Sequence, residues 1–208
     1  MGLIDANPAR GVRRLASQVR DKRLRQGEVE RFGIALRDAE ADGENPTGLA
    51  VICFLLLTGF RRMEALGLRR DWLNVEEGCV RFPDTKSGTQ IRVLGRPAVE
   101  LAASQPRRGP SPFVFPAAWG DGHFIGVVRV LDRVCARAEL TGVTPHVLRH
   151  TFASVAGDLG FSELTIAALL GHAARGVTQR YVHIDEASRM AADRVSTEIV
   201  GLLAKQRL

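Results

Sequence analysis

Apolar residues recur at helical intervals over most of the chain. From Gln26 onward, Val29, Phe32, Ala35 and Leu36 share one face, with charges opposite, which predicts an amphipathic helix. Gly43 to Gly48 has turn composition. Leu49 to Leu57 is apolar on every side, as a fully buried helix would be, and Thr58-Gly59 breaks it. A short helix over about Arg62 to Leu66 follows. The pattern then shortens. Trp72–Val75, Cys79–Phe82 and Ile91–Leu94 read as three short strands, turned at Glu77-Gly78 and at Lys86-Ser87-Gly88. Residues 104–122 form a loop rich in Pro and Gly, interrupted by Phe113-Val114-Phe115.

Helical spacing returns at Phe124 to Ala138, predicted to turn Ile125, Val128, Leu131 and Val134 or Cys135 inward. Thr144 is suited to cap the next helix, with Pro145 in its first turn. That helix runs to about Leu159, with Leu148, Phe152, Val155 and Leu159 on its apolar face. Ser162 caps another, ending at Gly171. Glu186 to Ala204 forms a last amphipathic helix through Met190, Val195, Ile199 and Leu202. These elements predict a mostly helical α+β fold with a small three-stranded antiparallel sheet.

A chain of 208 residues suffices for one domain with a proper core. Its hydrophobic content of 45% and charged content of 25% are those of an ordinary globular protein. No apolar run is long enough to span a membrane, and the N-terminus lacks a signal-peptide pattern, so a cytoplasmic protein is expected. Cys53, Cys79 and Cys135 have neither metal-ligand spacing nor the look of a disulfide framework. A net charge of +6 and a pI near 10.0 favour an anionic partner, although charge alone does not single out nucleic acid.

Tyrosine occurs once, as Tyr181, nine residues after His172. Upstream stand His146-Val147-Leu148-Arg149-His150 and Thr58-Gly59-Phe60-Arg61-Arg62-Met63-Glu64. Two arginines, two histidines and one phenol suit attack on a phosphodiester by a protein nucleophile. His146 and Arg149, three apart, share a helix face opposite the Leu148/Phe152 stripe. They read either as an anion site or as a surface arginine beside a capping histidine. His146 and His150 have metal-pair spacing, but Arg149 between them would repel a cation and no carboxylate is near, so no metal is expected. Arg61 follows the Thr-Gly break, at the mouth of the core, where it could clamp an oxyanion. Glu64, one turn on, could orient it, or the two could form a routine salt bridge. Lys86, at a hairpin tip, is by itself a solubility feature as readily as a functional one.

Taken together, Thr58–Glu64, Thr85-Lys86-Ser87-Gly88, His146–Thr151, Leu169–His172 and Tyr181 closely resemble the tyrosine recombinases, the phage integrase family, over about residues 26 to 208. Met63 departs from the small residue usual there. The resemblance implies that Arg61 and Arg149 bind the scissile phosphate, Lys86 enters the DNA from its hairpin, His146 and His172 complete the site, Tyr181 is the nucleophile and Glu64 supports the first arginine. It further implies double-stranded DNA as partner, a tetramer on synapsed sites and no cofactor, with the last helix either docking on a neighbouring protomer or packing on its own domain. The family places a helical core-binding domain ahead of the catalytic one, and about 27 residues cannot supply it. Residues 1–27 are therefore expected to be the remnant of an interdomain linker, and 28–208 the catalytic domain. A type IB topoisomerase uses related chemistry but lacks the His-x-x-Arg partner pattern, and a non-catalytic DNA-binding remnant would be expected to have lost site residues.

Overall fold

The computed structural model describes residues 22–85, 88–172 and 186–205. Helix α2 (Pro46–Thr58) is the hub. Asn45 starts it by accepting a hydrogen bond from the Gly48 N–H at 2.9 Å, and Pro46 occupies its first turn. Almost all of its residues are buried, as an all-round apolar pattern requires. Around it pack α1 (Gln26–Ala41), α3 (Arg62–Leu66), α4 (Arg96–Ala103), α5 (Val127–Arg137), α6 (Pro145–Asp158) and α8 (Glu186–Ala204); α7 (Glu163–Leu170) packs on α6 and α8. The predicted caps hold: Thr144 Oγ1 accepts from the Val147 N–H, and Ser162 Oγ from the Thr165 N–H.

The sheet is antiparallel in the order β1 (Leu73–Asn74), β2 (Cys79–Thr85), β3 (Gly88–Val93), as the sequence predicts, although the first strand is shorter. Residues 70–72 make a 3₁₀ turn instead, and Val75 is exposed. Val80 pairs with Arg92, and Phe82 with Gln90, so these four residues share the inward face. An aromatic chain joins that face to α2. Trp72 meets Phe82 at 5.7 Å between ring centroids, Phe82 meets Phe60 at 5.8 Å, and Phe60 meets Phe54 edge-on at 5.4 Å.

Three expectations need correction. Helix α4 was not anticipated; it is only eight residues long, opens with Pro97 in its first turn after Gly95, and buries Ala98, Val99 and Ala102. Helix α5 starts at Val127 rather than Phe124, since Gly126 before it has φ 114°, outside the helical region. Its buried face is therefore Val127, Val130, Leu131, Val134 and Cys135, while Ile125 and Val128 lie exposed. Helix α8 has the predicted bounds, but Met190 points outward and Ala191, Ala192, Val195, Ser196, Ile199 and Leu202 form the buried stripe.

That stripe packs on α1, α2, α4, α6, α7 and β3 of the same chain, so in this structure α8 is part of its own core. The fit is close. A side chain at Gly95 would collide with Ser196 and the Ala192 carbonyl, and one at Gly33 with the Leu203 backbone. Burying residues such as Val195, Ile199 and Leu202 is worth about 1.5–3 kcal/mol each. Their sum is comparable to the whole stability of a domain, about 5–15 kcal/mol. Removing residues 186–208 is expected to abolish the cooperative thermal transition seen by circular dichroism. A truncated chain melting cooperatively near the full-length temperature would show α8 to be an appendage.

Candidate active site

The site forms where the α2–α3 turn, the first half of α6, the end of α7 and β3 converge. At the end of α2, Thr58 Oγ1 donates to the Phe54 carbonyl at 2.7 Å and accepts from the Phe60 N–H at 3.2 Å. Gly59 then takes a left-handed conformation, φ 62°. A side chain there would lie 2.8 Å from both Phe152 and Leu170, so glycine is required for space as well as for conformation. Phe60 plugs the core, and Arg61 emerges as the N-cap of α3, half-exposed. Glu64 Oε2 accepts from the Arg61 N–H at 2.8 Å, and Oε1 from its guanidinium at 2.6 Å. This doubles as a helix cap and an orienting contact. Burial pushes the Glu64 carboxyl up, but the Arg61 N–H and the Arg92 and Arg61 guanidiniums outweigh it, leaving it lowered and ionised.

Arg149 is buried, at 5% exposure. The reading of a surface arginine on a solvent-facing side of α6 is therefore wrong. Its Nη1 donates to the Gly59 carbonyl at 2.6 Å, and its Nη2 to the Leu170 carbonyl at 3.0 Å. Those carbonyls lie at the C-terminal ends of α2 and α7, the negative poles of two helices, where a cation is favoured. Nη2 also lies 2.9 Å from His172 Nε2. A guanidinium can only donate, so Nε2 accepts and the neutral imidazole has its proton on Nδ1. Burial, then Arg149, Arg61 and Arg92, push the His172 pKa down. His146, exposed one turn before Arg149, packs edge-on against His150 at 4.3 Å between centroids. Burial, then His150, Arg149 and Arg61, lower its pKa too. Both rings are neutral at pH 7; His146 is available as a base, while His172, with Nε2 taken up by Arg149, has Nδ1–H left to donate.

Arg61, Arg149 and His146, with Phe60, Arg62, Thr144 and Pro145, line a pocket of about 260 Å³ at this surface. The structure thus assembles Arg61, Glu64, His146, Arg149 and His172. Lys86 and Tyr181 lie outside the described residues. Among those described, no cluster of three or more His, Cys, Asp and Glu side chains is arranged to hold a metal ion.

Two residues of the site were missed in the sequence. Arg92, on β3, is fully buried beneath Glu64, 3.4 Å from its Oε2, with its guanidinium 4.4 Å from the Phe60 ring centroid. Its Nε and Nη2 donate to the Leu169 carbonyl at 3.1 and 2.6 Å. Gln90, two residues before it, donates to the Gly171 carbonyl at 3.1 Å. The last three carbonyls of the α7 end, at residues 169, 170 and 171, are thereby each held by a side chain from β3 or α6. The available signal was alternation. A strand running back to Gly88 puts Gln90, Arg92 and Leu94 on one face, but apolar Ile91 and Val93 make the other face look like the inner one.

Residues 22–188 match the model of the phage integrase family. Among similar proteins is a tyrosine recombinase XerD of Brucella suis biovar 1 (strain 1330), 32% identical over 172 residues that cover 76% of this chain and 56% of that protein. A tyrosine recombinase XerC of Erythrobacter litoralis (strain HTCC2594) is 33% identical over 178 residues, covering 82% of this chain and 58% of the relative. The chain thus spans little more than half the length of these curated relatives. The fold is similar to that of the integrase from mycobacterium phage Brujita, with a TM-score of 0.66 at 20% identity over 93% of this chain and 66% of that one. It is also similar to the XerH recombinase bound to its difH substrate in a pre-cleavage complex, with a TM-score of 0.57 at 20% identity over 80% of this chain and 53% of the other. No helix among the described residues is long and apolar enough to cross a membrane.

Proposed function

The chain belongs to the phage integrase family, and on that premise we propose that it is the strand-cutting and strand-joining domain of a site-specific DNA recombinase. The observation that supports this best is the convergence of Arg61 and Arg149 beside two neutral imidazoles at an open pocket, with Arg149 held rigidly by two helix ends.

A phosphodiester gains negative charge on its non-bridging oxygens as it is attacked. Two guanidiniums bind such oxygens with fork geometry and remain charged at any working pH. Fixed before DNA arrives, they provide the preorganised electrostatics that usually make the largest contribution to catalysis. Tyr181 Oη attacks phosphorus, and the bond from phosphorus to the 5′-oxygen breaks. A phenol with an ordinary pKa of about 10 is mostly protonated at pH 7, so its proton must leave during attack, and His146 is the base. The departing 5′-oxygen takes a proton from Lys86. His172 accepts from Arg149 through Nε2 and has Nδ1–H left to donate to the phosphate. The products are a 3′-phosphotyrosyl ester and a free 5′-hydroxyl. Attack by the 5′-hydroxyl of another strand reverses the steps, so joining needs no nucleotide cofactor. The proposed partner is double-stranded DNA, with four protomers on two synapsed sites.

The test is covalent capture. Incubated with a nicked duplex bearing a recognition site, the chain is expected to form a denaturation-resistant protein–DNA adduct. Because arginines supply the cationic charge, the adduct should form equally well in excess EDTA. Loss of the adduct in EDTA, with recovery on adding magnesium or zinc, would require a metal-dependent mechanism instead. Binding without any adduct, on every duplex tried, would identify a non-catalytic DNA-binding protein.

A further inference from the structure

Arg92 is the largest fully buried side chain among the described residues, and no step of the proposed reaction uses it. It occupies an inward position on β3, paired with Val80 and beside Phe60, where an aliphatic side chain would avoid the cost of desolvating a charge. Burial pushes its pKa down to about 9, with Glu64 opposing, so it remains a cation at neutral pH. Its contacts explain where that cation is spent. Two of its nitrogens grip the Leu169 carbonyl, and the third faces Glu64 Oε2.

Each of these contacts leads directly to one half of the anion site. Glu64 is the residue that holds the Arg61 guanidinium, at 2.6 Å. Leu169 is followed by Leu170, whose carbonyl anchors Arg149, and shortly after by His172. A continuous path therefore runs from Arg61 through Glu64 and Arg92 to the end of α7, and thence to Arg149. Gly171 is the point of closest approach. It adopts φ 66°, and a side chain on it would collide with Arg92 and Gln90. The strand is thus packed against the helix end with no room for a Cβ.

We propose that Arg92 is a positioning residue, which by holding the end of α7 and the Glu64 carboxylate at once fixes how Arg61 and the Arg149–His172 pair face each other across the bound phosphate. The role rests on the recombinase reading for the identity of the anion, while the clamp itself does not. A guanidinium suits the task where other side chains fail. It is planar, donates in several directions at once, and stays charged in a dry site. Lysine offers a point charge on a flexible stem, and methionine fills similar space with no donor.

The test compares Arg92→Met and Arg92→Lys in the full chain by three measurements. These are thermal unfolding, single-turnover adduct formation at saturating nicked duplex alongside the dissociation constant for that duplex, and NMR titration of the histidines without DNA. Arg92→Met is expected to slow adduct formation about 100-fold, the scale of a misplaced reacting group, with little change in the dissociation constant. Arg92→Lys should recover part of the rate. The His172 titration midpoint should rise in Arg92→Met, because the α7 end is released and a nearby cation removed. An unchanged rate overturns the proposal. So does a rate that falls only in step with melting temperature in both variants, with His172 titrating as in the wild type. If Arg92→Met fails to fold, Arg92→Lys decides by the same criteria. The histidine titration needs no DNA. A wild-type chain that forms no adduct would sink the recombinase reading, and the titration would still decide whether Arg92 clamps the site.

Discussion

Tyr181→Phe is expected to abolish covalent capture of DNA while leaving DNA binding and folding intact. The change removes one oxygen, and with it the only phenol in the chain. No thiol among the described residues can substitute. Burial pushes Cys53 up to about 12 and Cys135 to about 11, and raises Cys79 as well, so all three stay protonated and poorly nucleophilic. Adduct on a denaturing gel should fall below detection with the Phe variant, and the gel-shift affinity should match that of the wild type. Adduct formed by the Phe variant at a comparable rate would remove Tyr181 from the mechanism, and peptide mapping of the adduct would then identify the true nucleophile.

The second large effect is expected at Arg149. Losing one preorganised donor to a developing oxyanion typically costs about 10²–10³ in rate. In the proposed mechanism Arg149 supplies a fixed guanidinium with a full charge, so Arg149→Ala should slow adduct formation by about three orders of magnitude or more. The same change leaves the Gly59 and Leu170 carbonyls and His172 Nε2 without their donor. A buried polar group left unpaired costs about 1–3 kcal/mol, so the Ala variant should also melt several degrees lower. Arg149→Lys separates the two effects. It preserves charge, and should preserve most of the stability and the affinity for DNA, yet cleave about 10²-fold more slowly for want of a guanidinium held in place by several donors at once. A Lys variant cleaving at the wild-type rate would show that charge suffices and that the clamp geometry is unimportant.

Much of this site could be read from the sequence, because its elements begin and end on local signals. Thr144-Pro145 and Ser162 open helices by satisfying their own backbone donors, and Gly59 and Gly171 close them, whereas Asn45-Pro46 starts α2 within a stretch whose composition reads as a loop before Leu49. Arg61, Glu64, His146, Arg149 and His172 all stand at or near such boundaries, and the resemblance to the recombinases is what grouped them into one site. What could not be read depends on packing between distant segments. Nothing within α6 says that Arg149 is buried; that follows from the ends of α2 and α7 closing over it. Arg92 contradicts the rule that charges face water, and its justification lies 77 residues away at Leu169. Ile125, Val128 and Met190 look like core residues by spacing, but a glycine with positive φ shifts the frame of α5, and a stripe of alanine and serine lets α8 pack closely through the adjacent face.

The contrast between the half-exposed Arg61 and the buried Arg149 has a consequence for ionic strength. Affinity for DNA comes chiefly from exposed cations that displace counterions, and it falls steeply as salt is added. Interactions of buried charges are screened far less. On the proposed reading, salt should therefore act at two different points, loosening the hold on the duplex long before it weakens the group assigned to stabilise the reacting phosphate. In rising salt the protein would release its DNA while the bound fraction went on reacting at nearly its former rate, so that occupancy, and not chemistry, sets the limit.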